Sequence, residues 1–441
     1  MTCSPDLETL GQRTMRKYIP VFVLLLTALT PAVSADSPPL FVFADIGDGQ
    51  LGLINTETDV LIQVDVSKMD GWPGNGVVFK QHAWVTSDGR TIYMSIDATP
   101  PSPGGIVVFD VHSIDWVAGE ADISIQKSLI VDPEGSLSDY PEVEQTVPGQ
   151  PIAEWVEGTY TQLHGPSFRP RSPFSYVTVL TDDRIVAFNT RTNEFAGIAP
   201  YSYGEISAQT HGLSFNAAGT LALGTGYYFD NSKIDLYLCF PGVAQPFPIY
   251  SFELRDGQER GAFTHYTVWL NQRYAYTATQ QFDETSLTPA GGSVSTPGIW
   301  LLDIWTGRAL RVVGTAETPE DPGVLRSPSD VNIANGKLYV AEEDTLDGSF
   351  GDDGFVAVYD VSIPHKPQFL KRFKPGEELP ADFSVAHGLT VSPDQKYVFA
   401  ASYASSYIVK IDTDTDTVTK VWGPEDGLSV PHGGFIAGSI R

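Results

Sequence analysis

Six of the eight histidines in this 441-residue chain stand in one recurring sequence context. His82, His164, His211 and His265 each open a short apolar segment that runs into a turn and then into a second apolar segment. His387 does the same, and His432 opens the last such segment of the chain. In the block SPSDVNIANGKLYVAEED, Asp330 is read as taking the histidine's place. Neutral imidazole suits copper, zinc, iron and nickel, so this set with one carboxylate favours those ions over calcium or magnesium. Glycine follows four of the histidines, as Gly165, Gly212, Gly388 and Gly433, which lets backbones approach closely. His112 and His365 fall outside the pattern and are read as lying in outer turns on the opposite face.

The elements that position these residues are clearest between Ala386 and Trp422. Strands are expected over His387 to Val391, Tyr397 to Ser402, Tyr407 to Ile411 and Thr417 to Trp422, with Ser392-Pro393-Asp394-Gln395 turning between the first two. Four short antiparallel strands repeated radially make a propeller blade. The same frame returns at His82, His164, His211, His265 and Asp330. Phe41 to Asp45, Gln50 to Ile54 and Val60 to Val66 read as second, third and fourth strands without a first, and the segment at His432 reads as a first strand alone. The fold expected is therefore all-β: a seven-bladed β-propeller closed by pairing the C-terminal strand with the N-terminal blade, which leaves no sheet edge open.

In that fold the first strand of each blade lines the axial channel, so six imidazoles and Asp330 would converge at one end of it. The long connections 67–81, 132–163, 281–298, 315–329, 344–354 and 374–386 are expected on that same face. The acidic, Pro-rich stretch 132–162, with Trp155, is a candidate lid. Glu205, Glu342, Glu343 and Asp382, together with Asp330, are candidates to orient imidazole N–H groups or move protons. Tyr266 is a candidate acid–base group, and Arg260, Arg326 and Lys374 could make the mouth locally basic. Three readings of the ring stand open. It binds metal, it ties blades together as an inherited repeat feature, or it grips an anion or substrate without metal.

Residues 1–35 read as a secretory signal peptide with an upstream extension: Arg16-Lys17, an apolar run from Ile19 to Leu29, then Val33-Ser34-Ala35. The apolar run is short for a membrane span. The mature chain is expected to be residues 36–441, one propeller domain in the periplasm or secreted. Removing the leader, whose net charge is +1, takes the chain from −27 to −28. That charge argues against nucleic acid and against an anionic membrane as partners. Cys239 is then the single cysteine and, within the apolar run Leu236 to Phe240, is expected to be a buried core thiol. The sequence offers no CxxCH haem motif, so electrons would come from a small-molecule substrate or from a separate periplasmic electron-transfer protein.

The Ala386–Trp422 block, AHGLTVSPDQKYVFAASYASSYIVKIDTDTDTVTKVW, resembles the YVTN family of β-propeller repeats. A ring of histidines at the top of a seven-bladed propeller resembles the catalytic domain of nitrous oxide reductases, which hold a copper–sulfide cluster there. It is also similar to the copper-dependent methanethiol oxidases of the selenium-binding protein family and to carotenoid cleavage oxygenases, where four histidines hold iron. This chain lacks the cupredoxin domain of the first and the cysteine motifs of the second. The resemblance implies copper first, with iron or zinc as the other ions, held by His82, His164, His211, His265, His387 and His432. The function expected is an exported metal-dependent oxidoreductase. A metal-assisted lyase or hydrolase, and a non-catalytic binding or metal-holding propeller, are the alternatives.

Overall fold

The computed structural model describes residues 37–45, 50–73, 80–96, 104–132, 163–179, 184–200, 210–226, 233–257, 259–261, 264–280, 297–314, 325, 328–343, 354–402 and 404–438. The leader, the 133–162 stretch with Trp155, Glu205, Arg326 and most of the long connections read from the sequence lie outside these residues.

The described chain is all-β and forms a propeller-like arrangement of small sheets. Five antiparallel four-stranded sheets occupy residues 163–200, 210–253, 267–313, 328–373 and 386–422. An eight-stranded sheet holds the rest, in two four-stranded halves. One half is Pro431–Ile436, Leu40–Asp45, Gln50–Asn55 and Leu61–Asp65; the other is Lys80–Val85, Thr91–Ile96, Gly104–Asp115 and Glu120–Asp132. A single parallel pair, Gly434 with Ala83, joins the halves. The expected closure is present, with Phe41 opposite Ile436 and Val42 opposite Phe435. A two-residue ribbon, Arg255–Asp256 with Glu259–Arg260, was not legible beforehand.

Strand composition explains the layering. In the 386–422 sheet, Tyr397–Ser402 is buried at every position after the first, as an apolar run covered on both faces must be. The outermost strand, Thr417–Trp422, alternates exposed and half-buried residues before burying Trp422. Arg308–Val313 and Gln368–Phe373 repeat that pattern. Each sheet thus covers its neighbours through its inner strands and meets solvent along its outer edge.

The cores confirm the cyclic order. Among the described residues, seven apolar clusters each lie between two consecutive four-stranded layers. The cluster of Phe399, Ile408 and Trp422 with Phe41, Phe43, Ile54 and Ile436 closes the cycle from the last complete sheet to the first strands. Lys410 adds an ion pair to Asp59 at 2.7 Å, and Trp422 donates to the Asp59 carbonyl at 3.1 Å.

Tyrosines repeat the same latch between layers. Tyr93, Tyr176, Tyr276 and Tyr339 are each the third residue of a second strand. Their hydroxyls donate to Asn193, the Ala244 carbonyl, the Pro364 carbonyl and Asp416 of the next sheet, at 2.6–2.9 Å. Each such hydrogen bond is worth about 1 kcal/mol.

His365 lies in an outer turn as expected, between Phe355–Asp360 and Gln368–Phe373. His112 does not. The hairpin 104–132 is long, so His112 sits inside Gly104–Asp115, with Nε2 2.8 Å from the Ser124 hydroxyl. Cys239 is buried between the 163–200 and 210–253 sheets, and burial pushes its thiol up to about 12.

Candidate metal centre

The inner strands carry the six histidines to one place by a shared local device. Where the first strand of each layer pairs with the second, one can count back four residues along the first strand from the partner of the second strand's second residue. The count falls on His164, His211, His265, His387 and His432, starting from Phe168, Phe215, Trp269, Val391 and Ile436. In the 80–132 half it falls on Gln81, and the histidine is the next residue. The ladder slips at or beside the histidine in five strands, between 80 and 83, 164 and 167, 210 and 212, 386 and 388, and 431 and 434. His265 stands two residues before its strand, Thr267–Trp269. A bulge bends the strand and re-aims the side chain, here toward the axis.

The six imidazoles form a closed circuit. Ring centroids are separated by 4.5 Å for His82–His164, 4.1 Å for His164–His211 and 4.2 Å for His211–His265. The circuit continues at 5.0 Å for His265–His387, 4.8 Å for His387–His432 and 4.4 Å for His432–His82. Nε2 of His82 and Nε2 of His164 are 3.4 Å apart. All six are buried but for a 16 % exposed His387 side chain.

The seventh contributor is Glu343, and Asp330 is elsewhere. In the 328–373 sheet the count starts from Ile333, the partner of Leu338, and falls on Ser329, not Asp330. The tight Asn335-Gly336 turn adds one further pair, Ala334 with Lys337, which displaces a count made from the turn by one residue. Asp330 accepts the backbone N–H groups of Val331 and Leu389, each at 2.8 Å, and so staples two inner strands together. Glu343, just past Lys337–Glu342, reaches the gap instead. One of its oxygens lies 2.5 Å from Nδ1 of His387, and the other accepts from Gln280 at 2.6 Å. Glu342 turns away to Arg372, with Nε at 2.9 Å, and Lys374 pairs with Glu377. Asp382 is exposed.

Hydroxyls missed by the sequence reading hold the histidine backbones. Thr178 donates between the carbonyls of His164 and His211, and Thr225 between those of Gly212 and His265. Ser329 does the same between Ala341 and Ala386. The glycines act as expected at close approaches. A Cβ on Gly165, at φ +56°, would meet the His211 carbonyl oxygen, and one on Gly388 would come within 2.6 Å of the Gly433 Cα. Tyr266 is buried with its ring edge-on to His211, centroids 5.5 Å apart, over Gly212.

Electrostatics keep two imidazoles of the ring, His265 and His211, neutral and the carboxylate charged. Burial drives His265 from 6.5 to about 3, with Glu343 opposing and His387 adding to the shift. Burial, then His164 and His265, holds His211 well below its ordinary value. Nδ1 of His211 donates to the His265 carbonyl at 2.9 Å, so Nε2 carries the lone pair. Burial would raise the Glu343 carboxyl, but His387, His265 and Gln280 outweigh it and hold it below its usual range. Neutral imidazoles and an ionised carboxylate are the protonation states that bind metal. His82, His164 and His432 offer ligand atoms within 4.8 Å of one another, as do His265, His387 and Glu343.

No family model matches the chain, and no curated protein matches it. Solved β-propeller-like structures do. A hypothetical selenium-binding protein from Sulfolobus tokodaii aligns at 14 % identity over 93 % of this chain and 96 % of its own, with a TM-score of 0.56. A putative 6-phosphogluconolactonase from Bacteroides fragilis aligns at 10 % identity over 92 % and 99 %, TM-score 0.53. The dihydro-heme d1 dehydrogenase NirN, solved in complex with DHE, aligns at 13 % identity over 93 % and 77 %, TM-score 0.51. These likenesses establish the propeller-like fold. No helix among the described residues is long and apolar enough to cross a membrane.

Proposed function

We propose that this chain is an exported, seven-bladed propeller that acts as a metal-dependent oxidoreductase on a small-molecule substrate, with copper or iron held by the axial histidines. Counting the eight-stranded sheet as two blades supports seven, as do the seven cores in cyclic order. The observation that carries the reading is the closed circuit of six imidazoles with Glu343 set into it. A ring kept only to tie sheets together has no use for six inward imidazoles, because the ties are made by Thr178, Thr225, Ser329, Asp330 and the tyrosines.

The bound ion would supply electron transfer or Lewis acidity. The chain's own residues set its surroundings. The Glu343 carboxylate, fixed by Gln280, orients His387 and can hold a proton from its Nδ1. The His265 carbonyl fixes the tautomer of His211. The contact of Tyr266 with His211 favours one second reading, a metal-assisted lyase with the phenol as acid–base group.

Metal analysis of the full chain purified from its native compartment tests both. Stoichiometric copper or iron with an EPR or visible signal supports the oxidoreductase. Colourless zinc supports the lyase. No retained metal, natively or after reconstitution, overturns both readings.

A further inference from the structure

The ring is not even, and its unevenness divides it. His82, His164 and His432 come from consecutive layers around the axis and form one set whose ligand atoms lie within 4.8 Å. His265, Glu343 and His387 come from the next consecutive layers on the other side and form a second set of the same span, and no residue belongs to both. The circuit is pinched at His82. His164 and His432, its two neighbours, have centroids 5.9 Å apart, closer than even spacing around six rings would place them. On one side His211 stands between the sets, with His164 at 4.1 Å and His265 at 4.2 Å. On the other, His387 and His432 adjoin.

A single central ion fits this geometry poorly. Six rings with neighbouring centroids 4.1–5.0 Å apart sit too far from a common centre for all their nitrogens to reach the bond length of about 2.0–2.1 Å that imidazole ligation needs. Each set of three, by contrast, needs only a small contraction around its own ion. Three protein ligands with an open position are what catalytic metal sites keep.

We propose that the ring holds two metal ions in adjoining sites of unlike donor sets, with an all-imidazole site at His82, His164 and His432 and a two-imidazole, one-carboxylate site at His265, His387 and Glu343. His211 lies between them, with Nε2 as its ligating atom. The proposal rests on the metal-binding reading above and gives it a nuclearity. The all-nitrogen site favours copper or zinc, and the site with the carboxylate favours iron(II). Two ions so placed could grip one small substrate from both sides.

The test uses the full chain stripped of metal and titrated with cobalt(II) alone, reading stoichiometry by elemental analysis and donor set by the visible d–d bands. Two equivalents are expected. His82→Ala should bind one and keep the bands of the carboxylate-containing site, whereas Glu343→Gln should bind one and keep those of the other. His387→Ala reads the second site independently should Glu343→Gln not fold, with circular dichroism and the melting temperature as the check. One equivalent in the parent chain, abolished by variants of either set, overturns the two-site proposal and leaves the metal-binding reading standing. Two equivalents retained by Glu343→Gln also overturn it, making Glu343 only the hydrogen-bond partner of His387. No uptake of cobalt(II), copper(II), iron(II) or zinc(II) overturns both.

Discussion

Glu343 and His387 meet across two neighbouring sheets, carboxylate oxygen to Nδ1 at 2.5 Å, at the one place where an inner strand brings serine to the ring and not histidine. The preceding residue, Glu342, faces the other way and is sealed against Arg372, with the side chains 0 % and 6 % exposed. Two consecutive glutamates thus have separate duties.

Glu342→Ala should destabilise the fold without changing metal content. Removing one partner of a buried ion pair leaves the other charge uncompensated and costs about 3–5 kcal/mol. Chemical denaturation should report that loss, while elemental analysis of the surviving folded protein should match the parent. A drop in bound metal at unchanged stability would place Glu342 in the site after all.

Alanine at three ring glycines should give a graded series. Gly165→Ala combines a left-handed φ of +56° with a clash against the His211 carbonyl. It should lose about 2 kcal/mol or more. Gly388→Ala meets backbone at 2.6 Å and should cost about 1–3 kcal/mol. Gly433→Ala, whose nearest neighbour is at 3.6 Å, should be close to neutral. Melting temperatures that fall equally in all three would contradict the close approach of the inner strands.

The metal-free protein should lose stability as pH falls below about 6.5, and progressively so toward about 3. His265 titrates at 6.5 in the unfolded chain and at about 3 in the folded one. Between those values the unfolded chain binds the extra proton, so stability rises with pH and is fully present above the unfolded value. His211 acts in the same sense. Denaturation midpoints measured from pH 7 down to pH 4 on the stripped protein check this. A flat profile would mean that neither imidazole is held neutral by burial.

The single thiol offers a probe of folding. Cys239 is buried and its thiol is pushed up to about 12, so it should ignore a thiol-reactive dye in the folded protein and react at once in denaturant. Prompt labelling of the native chain would show that the interface between the 163–200 and 210–253 sheets opens.

Much of this was legible in the sequence, for identifiable reasons. The strands of the 386–422 sheet were read to within a residue or so, because its apolar runs are separated by strong turn residues such as Pro393-Asp394 and Asp414. The six ring histidines were found by recurrence, since a repeat preserves register. Asp330 was misplaced because the Asn335-Gly336 turn is tight and adds the pair Ala334 with Lys337, so a count back from that turn lands one residue late. Glu343 was named only among loop acids, because it enters from the end of a second strand. Its neighbour His387 is 44 residues further on, and only the packing of adjacent sheets brings them together. Thr178 and Thr225 gave no signal, as threonine is ordinary in strands.

The pairing of Leu40–Asp45 with Pro431–Ile436 does more than seal a sheet edge. His432 rides on that last strand, so the ring gains its sixth imidazole only when the two extremities of the folded region meet. During synthesis Leu40–Asp45 must wait until residues 431–436 have been made before it acquires this second partner. A chain stalled or clipped before residue 431 would carry an unsealed first sheet and a ring of five imidazoles together. Closure of the sheet and completion of the six-imidazole ring are therefore a single event in folding.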